Sequence, residues 1–442
     1  MKKKILLVLA LVLPFTYCNA KSFADKITEL AATDTVNLKN DDPDHNLRYV
    51  GVNPNNYVSF NGELWRIIGV FDGRVKIIRA SYLRYNDGTN WAPKNYSMDK
   101  GTKPDNSGTY NNIEGMNEWS QSQLMKELNG DYINSSLKGA APGYVTWFAS
   151  SWRDPDAKMD SNYILDEKSV SLIDEVTWHL GAGNNDNGTV INTQYPADNP
   201  LIVSKLYELE KSNNTGKACT NLSNENYCND PYERTTSWTG KVGLMYASDY
   251  LYATSGNSTA SREQCLNTIV NKTGTNFGNA YDNACRDNDW LYNYENGVYG
   301  EWTMTPAAQA TSAAKYFKID SAGYLYEERS QDMEGVRPVV HLNPYVSFTS
   351  GTGTEDDPFI PGDIEEPTTP PVDPTTPDTP GDDDDDTDDT DNSKKGEVKG
   401  EEEEIVNPKT GVNHNIILPL LIVLGLFITL RLVLSKTSIK KL

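Results

Sequence analysis

The run Glu63-Leu64-Trp65-Arg66-Ile67-Ile68-Gly69-Val70-Phe71, then Asp72-Gly73, then Arg74-Val75-Lys76-Ile77-Ile78-Arg79, holds two segments rich in β-branched and aromatic residues joined by an Asp-Gly pair. That pair accepts the positive φ a two-residue primed turn demands, so the sequence predicts a β-hairpin over 63–79. Further on, Trp119-Ser120-Gln121-Ser122-Gln123-Leu124 offers Ser120 as N-cap, Gln123 to complete a capping box and Trp119 against Leu124 as a hydrophobic staple. A helix is expected from there to about Leu128, stopped by Asn129-Gly130. Towards the far end, Trp302-Thr303-Met304, Tyr316-Phe317-Lys318-Ile319, Tyr324-Leu325-Tyr326 and Val336-Arg337-Pro338-Val339-Val340-His341-Leu342 are short strand-like runs. Turn residues such as Asp320-Ser321-Ala322-Gly323 separate them, which predicts an antiparallel meander. The expected class is α+β, antiparallel sheets with few helices, in one or two units over 21–360 whose first and last segments meet.

Around this core, charge excludes one class of partner. The 442 residues carry 62 Asp plus Glu against 40 Lys plus Arg, a net charge of −22, the wrong sign for a nucleic-acid binder. Aromatic residues at 10% exclude a wholly disordered chain.

The ends read as addresses. Met1-Lys2-Lys3-Lys4, the apolar run Ile5 to Leu13 and the small exit Cys18-Asn19-Ala20 form a secretory signal peptide over 1–20. The run is too short to span a bilayer, and Thr16 and Tyr17 are poorly suited to precede a lipid-modified Cys18. At the other end, Asn407-Pro408-Lys409-Thr410-Gly411 precedes a transmembrane segment over 416–434 and a basic tail over 435–442 with Lys436, Lys440 and Lys441. Pro408 favours an extended, exposed segment, and Gly411 leaves no side chain beside the bond after Thr410.

Pentapeptide, apolar segment and basic stop, in that order, resemble the LPXTG-like cell-wall sorting signal of Gram-positive bacteria, with Asn407 where the commonest form has Leu. The resemblance implies that a sortase cysteine attacks the Thr410 carbonyl, releases Gly411 onward and passes the acyl group to a peptidoglycan amine. This chain would be the sortase's substrate, held by its membrane helix until processing, with its head outside the cell.

Between head and signal, 361–406 changes to Pro, Thr, Asp and Glu, with 18 acidic residues and 3 lysines. So little apolar surface does not offset the entropy of ordering, and like charge extends the chain, which reads as a disordered spacer.

Beyond Cys18 stand four cysteines, Cys219, Cys228, Cys265 and Cys285. An even count in an exported chain predicts two disulfides; of three pairings, Cys219 with Cys228 and Cys265 with Cys285 enclose the shortest loops. No CxxC spacing suggests zinc. Asp282, Asp287 and Asp289, and Asp186 with Asn184, Asn185 and Asn187, carry oxygens suited to Ca²⁺, but without EF-hand spacing they read as solvated turns, and no cofactor is expected.

The strings Leu64–Ile68, the Trp119-Ser120 helix with Leu128-Asn129-Gly130, Gly243-Leu244-Met245-Tyr246-Ala247-Ser248-Asp249-Tyr250, Asp289-Trp290-Leu291, Val336–Val340 and Gly351–Phe359 resemble an uncharacterised module of secreted and wall-anchored proteins of Gram-positive bacteria. More distantly, the closing strands and tryptophans resemble the C-type-lectin-like fold of formylglycine-generating-enzyme relatives, without their cysteine pair and catalytic signature. HExxH, GxSxG, P-loop and GxGxxG motifs are absent, so no catalytic residue is assigned. His179 and His341, flanked by apolar residues, read as packed strand positions rather than general bases. Trp65, Trp119, Trp290 and Trp302 are expected in the core. Trp91, Trp147, Trp152 and Trp238, in polar surroundings, are the candidates to stack on sugar rings. The expected role is a binding or adhesive surface module with a glycan or host-protein ligand; the alternatives are an extracellular enzyme acting on glycan or peptide and a passive coat protein.

Overall fold

The hairpin forms as the sequence predicts. Glu63–Phe71 and Arg74–Arg79 pair antiparallel from Phe71↔Arg74 back to Trp65↔Arg79, and Asp72 (φ 48°) and Gly73 (φ 74°) make the primed turn. The computed structural model describes residues 21–86, 91–93, 96–97, 118–140, 144–146, 158–181, 201–213, 235–268, 270, 283–295, 298, 300–307, 315–330 and 332–366, all within one compact unit. The class is mixed α+β, with mostly antiparallel sheets and few helices.

The hairpin is the centre of the largest sheet, in the order Leu38–Lys39, Leu47–Tyr49, Glu63–Phe71, Arg74–Arg79, Val339–His341, Val242–Gly243, with Tyr57–Phe60 also on Glu63–Phe71. A register shift between Ile67 and Gly69 bends the long strand. Gly69 is required there, because a Cβ would lie 2.1 Å from the Leu47 carbonyl oxygen. The core beneath holds Trp65, Trp119, Trp290 and Trp302, all buried as expected, together with Trp178.

First and last segments meet. Ser22 accepts the Asp25 backbone N–H and starts the helix Phe23–Leu30, whose Phe23 and Ile27, one turn apart, are buried. Phe23 packs against Phe348 and Phe359, and Ser59 N–H bonds the Phe359 carbonyl at 2.9 Å.

Three expectations are corrected. Ser122, not Ser120, caps the helix, which runs Gln123–Leu128 after a 3₁₀ turn at Trp119–Gln121; Ser120 Oγ donates instead to Glu118 Oε1 at 2.6 Å. Its stop at Asn129 is as predicted, and Asn129 Oδ1 also accepts the Val242 N–H at 3.0 Å. The meander is three-stranded, Gly300–Ala307, Lys315–Asp320 and Leu325–Arg329, while Val339–His341 leaves it to pair with Arg74–Arg79 and Val242–Gly243. Finally, the strand Ile360–Ile364 pairs with Val346–Ser350, carrying the fold past 360, where Pro361 and Gly362 read as spacer.

Cys265 and Cys285 are bonded, as the short-loop pairing predicts; Cys219 and Cys228 lie outside the described residues. Among the described residues no helix is long and apolar enough to cross a membrane.

Candidate binding pocket

Pairing places Arg48 opposite Gly69, Gly69 opposite Lys76 and Lys76 opposite His341, a row across four adjacent strands of the main sheet. Gly69 carries no side chain between the two cations. The helices Val203–Lys211 and Ala247–Tyr252 and the strand Val176–His179 enclose the end of this row in a cavity of about 410 Å³.

Its floor is a buried ion cluster. Arg48 Nε donates to Asp42 at 2.6 Å and Nη1 to Asp249 at 2.8 Å; Lys76 Nζ donates to the other Asp249 oxygen at 2.5 Å. Arg48, Lys76 and Asp249 are each 1% exposed, so these charges interact at low dielectric. Burial alone would raise the Asp249 pKa, but Lys76 and Arg48 hold it at about 2. Burial likewise would lower Arg48, yet Asp249 and Asp42 hold it above its ordinary value. In Lys76 burial wins and the pKa falls. Aromatic faces complete the cation environment: Arg48 lies 4.6 Å from the Phe71 ring centroid and 4.9 Å from Tyr252, and Lys76 4.7 Å from Tyr246.

Glu210, from the Val203–Lys211 helix, accepts from Thr305 Oγ1 at 2.6 Å, from the Ser248 backbone N–H at 3.2 Å and from Ser248 Oγ. Burial nevertheless pushes its pKa up to about 7. A raised and a lowered carboxyl in one cavity suit acid–base chemistry, but here the oxygens of both are taken up by protein donors.

Two polar atoms at the floor are unsatisfied. Arg48 Nη2 and His341 Nδ1 are buried with no hydrogen-bond partner, and both residues line the cavity. Burial and Lys76 depress His341 to about 3, so its ring is neutral near pH 7. The rim pairs off its charges: Arg74 Nε with Asp174 at 2.6 Å, and Asp44 with Lys211 and, at 2.8 Å, with the Tyr207 hydroxyl. His179 stands at the same rim, with burial and Lys211 lowering its pKa.

The two histidines singled out in the sequence thus share one cavity, with the Trp178 ring 5.0 Å from that of His341. Trp238 sits elsewhere, half-buried, its ring 6.1 Å from Trp119 and across Gly240. Trp91 falls in the strand Trp91–Pro93, but its side chain, Trp147, Trp152 and 407–411 lie outside the described residues. So do Asp282, Asp186, Asn184, Asn185 and Asn187; Asp287 pairs with Arg286 at 2.9 Å, and among the described residues no cluster of His, Cys, Asp and Glu suits a metal. Sequence reasoning missed Arg48, Lys76, Glu210 and Asp249. The signal for Lys76 was there: a lysine inside Val75–Ile78, an otherwise apolar strand run.

A comparison with models of protein families, with curated proteins and with solved structures finds no match to this chain.

Glu210 sets a pH dependence. The folded carboxyl keeps its proton to about pH 7, against 4.5 for the unconstrained group, so folding takes up a proton between these values. Its contribution is full below pH 4.5 and is lost as pH rises through 7, an expected fall of about 3 kcal/mol. His341 runs oppositely: stability is lost as pH drops from 6.5 towards 3. Denaturant titrations of wild type and Glu210→Gln across pH 4 to 8 isolate the first effect, because the difference between them narrows only if Glu210 carries that slope.

Proposed function

We propose that this chain is a secreted surface protein, tethered covalently to peptidoglycan through Asn407–Gly411, whose head binds a saccharide-sized polar ligand in the Arg48–His341 cavity. The observation that supports the binding reading is that Arg48 and His341, which line a space large enough for one or two sugar rings, each keep a buried polar atom, Nη2 and Nδ1, without a hydrogen-bond partner. The charges of floor and rim are largely paired within the protein, which favours a neutral, hydroxyl-rich ligand over an ion. Phe71, Trp178, Tyr207 and Tyr246 supply the aromatic walls. The signal peptide, acidic spacer and sorting-type end support display outside the cell, with sortase and peptidoglycan as processing partners. The C-type-lectin-like likeness belongs to this proposal too, and accords with a head of antiparallel sheets and few helices.

The test is a glycan array probed with full-chain protein and with Thr177→Trp, which fills the mouth from an exposed rim position. Saturable binding to a neutral glycan, weakened at least tenfold by the substitution, is expected; unchanged binding would move the site elsewhere.

A further inference from the structure

The motif strings that the first cavity does not absorb converge on another. Leu64 and Arg66, Asp289 and Trp290, Arg337, and Glu355 all line a cavity of about 610 Å³. At its wall Arg66 is 9% exposed and lies between two rings, 4.4 Å from the Tyr57 centroid and 4.6 Å from Trp290. Its partners are neutral acceptors: Asn56 Oδ1 at 2.8 Å from Nε, and Asn53 Oδ1 at 3.2 Å and the Pro54 carbonyl at 3.3 Å from Nη2. Among the described residues no carboxylate pairs with it, and Nη1 makes no hydrogen bond.

The other charges around the cavity have protein partners or stand exposed, and the buried Asp289 accepts the Leu291 N–H at 2.9 Å. Arg337 is clamped on both oxygens of Glu301, Arg286 on Asp287, and Glu63 on Arg79. Glu355 is exposed. Burial, with Arg337 adding to it, pushes the Arg66 pKa down to about 10 against the attraction of Tyr57 and of Glu355, which lines the same cavity beyond ion-pair distance. A buried charge without an ion-pair partner is costly, and with Nε and Nη2 already bonded to neutral acceptors, Nη1 is the donor left to receive an anion.

We propose that this cavity is a second binding site, which takes a ligand oxyanion, from a carboxylated sugar or a phosphate-bearing polymer, on the Nη1 edge of Arg66. It is separate from the neutral-ligand pocket and does not depend on it. The space admits a sugar-sized group behind the anion, and a charge-assisted bond to the guanidinium would distinguish it from its neutral counterpart.

Calorimetric titration of full-chain protein with glucuronate, glycerol phosphate and glucose tests this. One or both anions should bind at least tenfold more tightly than glucose, and which of them does so identifies the source. Arg66→Gln should remove that preference. Ser81→Trp, which fills the cavity from another lining position and leaves the Arg66 side chain unsubstituted, should do the same and decides the matter if Arg66→Gln fails to fold. No preference for either anion over glucose, or a preference surviving Ser81→Trp, would overturn the proposal.

Discussion

Asp249→Asn is expected to destabilise the head by about 3–5 kcal/mol, the usual cost of removing one partner from a buried ion cluster. The amide keeps the size of the side chain and its acceptance of the Tyr246 N–H, seen at 2.9 Å, so the helix cap survives and the loss reports charge. Arg48 would retain Asp42, but Lys76 would be left with no anion within ion-pair distance among the described residues. Adding Lys76→Met should therefore recover a substantial part of the loss. Equilibrium denaturation of the two single variants and the double variant makes the cycle. A loss below about 1 kcal/mol for Asp249→Asn would mean that water, not protein, solvates the cluster.

The second large effect concerns location. Deleting 407–411 while keeping the apolar segment and basic tail should shift the protein from the muramidase-released wall fraction to the detergent-soluble membrane fraction. In the proposed processing the pentapeptide carries the bond that is cut, whereas 416–434 only retains the chain beforehand. Equal recovery of wild type and deletion variant in the wall fraction would show that the pentapeptide has no part in anchoring.

How much of this was legible follows from how local each signal is. The hairpin at 63–79 was readable because its turn and both strands lie within seventeen residues, and Asp72-Gly73 admits few other conformations. The tryptophan core was readable from type and context. The helix cap was misassigned because Ser120 and Ser122 both precede helix-forming residues. A distant group decides between them: Glu118 accepts Ser120 Oγ and, from 117 residues away, the Thr235 backbone N–H at 2.9 Å. Val339–His341 has the composition of a meander strand, and nothing local reveals that it pairs with Arg74–Arg79 more than 250 residues earlier.

The pocket was illegible for the same reason. Its row of Arg48, Lys76 and His341 exists only once four strands are in register, and Asp249 joins it from a helix 173 residues beyond Lys76. The histidines were visible as residues but not as neighbours. Arg66 lay within a quoted motif, yet its lack of a carboxylate partner is a property of the packed cavity.

The central claim, that this head is displayed on the wall by covalent processing, is tested most directly by mass spectrometry of the C-terminal peptide of protein released from the source cells by muramidase. The account predicts a chain ending at Thr410 whose carboxyl is joined to a peptidoglycan amine. A C-terminal peptide running unmodified through Gly411 to Leu442 would contradict it.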